Sequence, residues 1–63
     1  MKKSYLEKQL KNLGWWFLSS GGNHDIWTNG ILSMPVPRHA EIKEMTAKGM
    51  ITKADRNPPP KNQ

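Results

Sequence analysis

Leu6, Leu10 and Leu13 recur at helical spacing, and Gly14 ends the pattern. Ser4 with Glu7 three residues later predicts a capping box at the start of this first helix, whose outer face carries Lys8, Lys11 and Asn12. Trp15 to Leu18 are aromatic and aliphatic and predict a strand. Ser19, Ser20, Gly21 and Gly22 then read as a flexible turn, and Asn23 to Thr28 as a second strand. Asn29-Gly30 predicts a two-residue type I′ turn leading into a third strand, Ile31 to Val36. Pro35 lacks an amide donor and places that strand at a sheet edge. A second helix is expected from about Glu41, with Ile42, Thr46, Ala47, Met50 and Ile51 near one face and a stop near Lys48, where Gly49 would cap it. Beyond Ala54 nothing apolar remains to bury. The expected organisation is a domain over 1–54 and a disordered, proline-containing tail over 55–63. Helix, three-stranded antiparallel meander and helix make an α+β sandwich of two layers, one sheet face under the helices and the other free.

Length changes the energetic picture. A chain of 63 residues builds one core and buries only about 60% of the surface its unfolded form exposes, so it needs outside support. Disulfides are closed to it, because there is no cysteine, and His24 and His39 lack the close-spaced companions that hold zinc. No metal and no cofactor are expected; a partner protein is. The lack of cysteine in so small a domain favours the cytoplasm, and no targeting or membrane-spanning segment is read.

Ten Lys and Arg against five Asp and Glu leave a formal charge of +5, which attracts polyanions, nucleic acid first among them. Solubility alone is the competing explanation of that charge.

Gly21-Gly22-Asn23-His24 sets a histidine just after two glycines, where backbone can approach a phosphate and an imidazole can accept or donate a proton. Against this stands a structural role: His24 and Ile26 share a sheet face, and if that face meets the helices the ring belongs to the core or its rim. Asp25, its neighbour along the strand, points the other way and is not expected to orient it. In Pro37-Arg38-His39 the arginine fork suits a phosphate, whereas His39 reads first as a polar loop residue and only second as a general acid. Trp15, Trp16, Phe17 and Trp27 alternate between faces, so some aromatic surface stays outside, to stack bases or to meet a protein.

Leu13-Gly14-Trp15, Gly21-Gly22-Asn23-His24-Asp25-Ile26-Trp27, Met34-Pro35-Val36-Pro37-Arg38-His39 and Glu41-Ile42 together resemble, in order and spacing over roughly the first fifty residues, the HicA toxins of bacterial toxin–antitoxin modules. The resemblance implies a fold similar to double-stranded-RNA-binding domains. It also implies an mRNA-cleaving activity that arrests translation and a HicB-like antitoxin that masks the active site. The family's functional histidine falls on His24. The chain departs from the pattern in helix two, which Thr46, Gly49 and Met50 dilute. On this reading His24 takes a ribose 2′-hydroxyl proton without a metal, and Lys8, Lys11, Arg38 and Lys43 are the expected RNA contacts. The alternatives are a non-catalytic RNA-binding module of the same fold and a protein-interaction domain.

Overall fold

A computed structural model describes residues 1–60. Helix α1 (Lys3–Asn12) leads into strands β1 (Trp16–Gly21), β2 (His24–Thr28) and β3 (Ser33–Pro37), and helix α2 (Glu44–Arg56) closes the domain. The sheet is an antiparallel meander in the order β1-β2-β3. This is the expected α+β arrangement of helix, three strands and helix.

The start of α1 is set by pairing, not by a capping box. Lys2 forms an isolated antiparallel bridge with Glu41, the Lys3 amide donates to the Ala40 carbonyl and the Ile42 amide to the Met1 carbonyl. Lys2 occupies the N-cap position, no side chain caps the helix, and Ser4 lies inside it. Glu7, the expected reciprocal partner of Ser4, instead accepts from Lys3. The other end follows expectation. Gly14 takes φ +92°, its amide donates to the Lys11 carbonyl and the Trp15 amide to the Leu10 carbonyl, and Leu10 and Trp15 pack in the core beside the turn.

Both hairpin turns differ from the sequence reading. Ser19, Ser20 and Gly21 belong to β1, paired with Ile26, Asp25 and His24, which leaves Gly22-Asn23 as a two-residue turn with Gly22 at φ +54°. A bulge at Leu18 lets β1 run that far while keeping Phe17 opposite Trp27. Asn29-Gly30 does not form the two-residue turn. Thr28 pairs with Ser33, so residues 29–32 make a four-residue loop and Ile31 and Leu32 leave the strand. The Asn29 side chain imposes this loop: its Oδ1 accepts the amides of Ile31 and Leu32 at 2.8 and 2.7 Å, closing a local turn that competes with the ladder. Pro35 lies in an edge strand, as expected.

Helix α2 begins at Glu44 and passes through Gly49 to Arg56, beyond the stop expected near Lys48. Buried Ala47 and Ala54 and half-buried Met50 and Ile51 hold it on the core, and tertiary packing outweighs the cost of one glycine. Asp55 and Arg56 are therefore helical, and Asn57 and Pro59 make contacts where a disordered tail is expected. The Asn57 carbonyl accepts from Trp15 and Asn29, and the Pro59 ring lies over Gly14. Residues 61–63 of that tail lie outside the described residues.

The core joins Leu6, Leu10, Trp15, Trp27, Met34, Val36, Ile42, Ala47 and Ala54. Both helices start at the Met1–Ile42 contact and finish at the Trp15–Asn57 contact, so they run side by side in one direction over one sheet face.

Candidate nucleic-acid interface

Strand alternation sorts the chemistry. Asp25, Trp27, Met34 and Val36 point into the helix layer and are buried, whereas His24, Ile26, Pro35 and Pro37 belong to the opposite, open face. Ile26 is half-buried on that open face, so His24 is not a core residue; it is exposed. Its cross-strand neighbours are Gly21 and Pro37, which bring no polar side chain and little bulk, and the Gly22-Asn23 turn precedes it. A Cβ built on Gly22 would meet nothing within 4 Å, so backbone here is open to a close ligand. Among the described residues, no side-chain hydrogen bond reaches His24.

Asp25 holds this end of the sheet together from the other side. Its Oδ2 accepts Lys3 Nζ at 3.0 Å from α1, and its Oδ1 accepts Arg38 Nε at 3.0 Å from the end of β3 and Ser20 Oγ at 3.4 Å from β1. The hydrogen bond from Lys3 leads the forces that hold this carboxyl below the ordinary value of 3.8. Burial opposes it, and the bond from Arg38 reinforces it. Lys3 is raised above its ordinary 10.5, chiefly by its bond to Glu7, against desolvation and with help from Asp25.

Arg38 thus sits at the His24 end of the sheet with its guanidinium drawn to the helix side. The register pairs His24 with Pro37, and Arg38 follows on the alternate face. Lys43 occupies the N-cap position of α2, exposed, at the same end. His39 is exposed in the connection to α2. Lys8 and Lys11 are exposed on α1, in the helix layer, and the structure does not bring them to the face of His24. Glu7, Asp25, Glu41 and Glu44 gather near the helix starts, where Met1 and Lys3 pair with them. The cationic surplus therefore falls on the outer helix surfaces, where Lys53 and Arg56 also lie exposed in the last turn of α2. Sequence reasoning missed those two because it ended the helix early; the signal was Ala54, seven residues after Ala47 and on the same apolar stripe.

Comparison with protein-family models, with curated proteins and with solved structures finds no match to this chain.

Trp15 and Trp27 are buried, while Trp16, Phe17 and Leu18 of β1 are about half exposed; Phe17 stays exposed although it pairs with Trp27 on the helix side, so alternation alone does not set this division. Phe17 meets Trp27 edge to face, with ring centroids 6.5 Å apart. Among the described residues, no group of three or more His, Cys, Asp or Glu is placed to hold a metal ion, and no helix is long and apolar enough to cross a membrane.

Proposed function

We propose that this protein is a HicA-like mRNA interferase, an endoribonuclease toxin of the cytoplasm that cuts mRNA, arrests translation and is neutralised by a HicB-like antitoxin. The observation that carries the reading is the state of His24: exposed, bracketed by Gly21 and Pro37 and free of side-chain hydrogen bonds among the described residues, so the ring has no packing or bonding task of its own. A helix, meander and helix order with two helices side by side is also the arrangement of double-stranded-RNA-binding domains, and the cationic outer surfaces of α1 and α2 suit a phosphate backbone.

In this mechanism neutral His24 removes the proton from a ribose 2′-hydroxyl. The resulting alkoxide attacks the adjacent phosphorus, the bond to the 5′-oxygen of the next nucleotide breaks, and that oxygen leaves with a proton from solvent or from His39. Lys43, at the head of α2 and the same end of the sheet, offsets the charge that gathers on the phosphate oxygens. The products are a 2′,3′-cyclic phosphate and a 5′-hydroxyl end. Mass spectrometry of a cleaved, labelled mRNA tests the route, and products that uniformly lack the cyclic phosphate reject it.

A non-catalytic RNA-binding module is the second reading, favoured by the absence, among the described residues, of a hydrogen-bond partner that would fix the ring of His24. It expects bound RNA to stay intact.

A further inference from the structure

Asp25 and Arg38 form a pair whose geometry leaves half of the arginine fork unused. Asp25 takes Nε alone, at 3.0 Å, and the Arg38 side chain stays 44% exposed. Among the described residues, neither terminal amino group of Arg38 has a partner. A guanidinium fixed through Nε and open at both Nη atoms presents two parallel N–H donors, the fork that matches two oxygens of one phosphate. Asp25 is well suited to hold it. Lys3 and Ser20 anchor the same carboxylate from α1 and β1, so the arginine is tied to three elements of the fold instead of swinging free. Arg38 also approaches from the helix side of the sheet while His24 belongs to the open face, which keeps the fork away from the phosphate beside the imidazole.

We propose that Asp25 is a positioning residue: it locks Arg38 so that the two free amino groups grip an RNA phosphate next along the strand from the one beside His24. The assignment rests on the RNA-cutting reading above. Arg38 then contributes to holding the substrate and not to the chemical step, and Asp25 acts only through Arg38.

The experiment compares wild type, Asp25→Asn, Arg38→Ala, the double variant and Arg38→Lys in steady-state cleavage of a short labelled RNA. Asp25→Asn and Arg38→Ala should each raise KM about tenfold with kcat within about twofold, and the double variant should be no worse than either alone. Arg38→Lys, an exposed change that keeps charge and spares the fold, should behave like Arg38→Ala because the fork is lost. A fall in kcat at unchanged KM, additive losses, or a lysine as good as arginine overturns the proposal. A second measurement does not depend on cleavage. The chain has two arginines, so Arg38 and Arg56 alone contribute guanidinium Nε–H signals to a nitrogen-edited NMR spectrum. The Arg38 signal should be protected from exchange in wild type, lose protection in Asp25→Asn, and shift on adding inorganic phosphate in wild type only. If wild type leaves RNA intact yet shows that pattern, the RNA-cutting reading fails while the held arginine stands as a phosphate site. Absence of the pattern removes Asp25 from the role.

Discussion

The side-chain amide of Asn29 donates to the backbone carbonyl of Asn57 at 2.8 Å, across 28 positions of the chain. The same oxygen accepts the Trp15 indole N–H at 3.0 Å, so one peptide carbonyl ties the end of α2 to the α1–β1 connection and to the β2–β3 loop. Asn29 meanwhile accepts the amides of Ile31 and Leu32, and it is buried with these three bonds made. Asn29→Ala should therefore cost about 2 to 3 kcal/mol, because several groups lose partners at once. Urea unfolding reads the loss, and a change within about 0.5 kcal/mol, typical of indifferent surface positions, would overturn the latch.

Two glycines make opposite demands. Gly49 lies inside α2, exposed, and a Cβ there would meet nothing within 4 Å. Gly49→Ala should stabilise the domain by about 0.5 to 1 kcal/mol through helix propensity and a less disordered unfolded chain. Gly14 takes φ +92°, and a Cβ there would lie 2.6 Å from the Pro59 ring. Gly14→Ala should cost at least about 1 kcal/mol. Denaturant midpoints that move the same way for both variants would contradict the placement of one of them.

Periodicity carried the order of elements because each helix and strand has a run of apolar positions long enough to override local detail. Leu6, Leu10 and Ala47 line the core where that pattern puts them. What periodicity could not carry was side-chain competition for backbone groups. Asn29 reads as half of a tight turn, but in the fold its amide closes a larger loop and reaches Asn57, a contact invisible until α2 is known to extend to Arg56. The site divides in the same way. The open-face position of His24 follows from strand alternation once Trp27 is assigned to the core, whereas the bond between Asp25 and Arg38 depends on register across β2 and β3, which local sequence does not specify.

Asp25 also sets an acid limb of stability. Its folded carboxyl lies below the ordinary value of 3.8, first because of the hydrogen bond from Lys3. A depressed folded value adds stability that is present above pH 3.8 and is lost as pH falls through the lower folded value. Lys3 has the opposite sign: its raised folded value adds stability below pH 10.5 that disappears as pH rises beyond it. Asp25→Asn should thus lower stability near neutral pH and flatten the decline below pH 3.8. Urea midpoints measured across that range decide the point, and parallel acid limbs in the two proteins reject it.

RNA binding should weaken steeply with salt if the helix surfaces hold the backbone. Lys8 and Lys11 on α1 and Lys53 and Arg56 on α2 are exposed on helices that run in the same direction, and Lys43 stands at the head of α2. Replacing any one cation that contacts a phosphate should lower the slope of log affinity against log salt by about 1. Fluorescence anisotropy at several salt concentrations measures it. A flat response in the wild-type protein would leave the surplus charge without a nucleic-acid role.

His24→Ala should separate cutting from binding. The imidazole is exposed, sits between Gly21 and Pro37 and takes no side-chain hydrogen bond among the described residues, so its removal leaves no cavity and no orphaned partner. Stability should stay within about 0.5 kcal/mol of wild type, the usual range for such a surface change. Affinity should also hold, because one neutral ring adds little to an interface governed by several cations. Cleavage should fall about 10²- to 10⁴-fold, the range for loss of a general base. Unfolding midpoint, RNA affinity and cleavage rate taken on one preparation distinguish the outcomes. A joint loss of all three assigns His24 a structural task that its exposure argues against, and retained cleavage removes it from the chemistry.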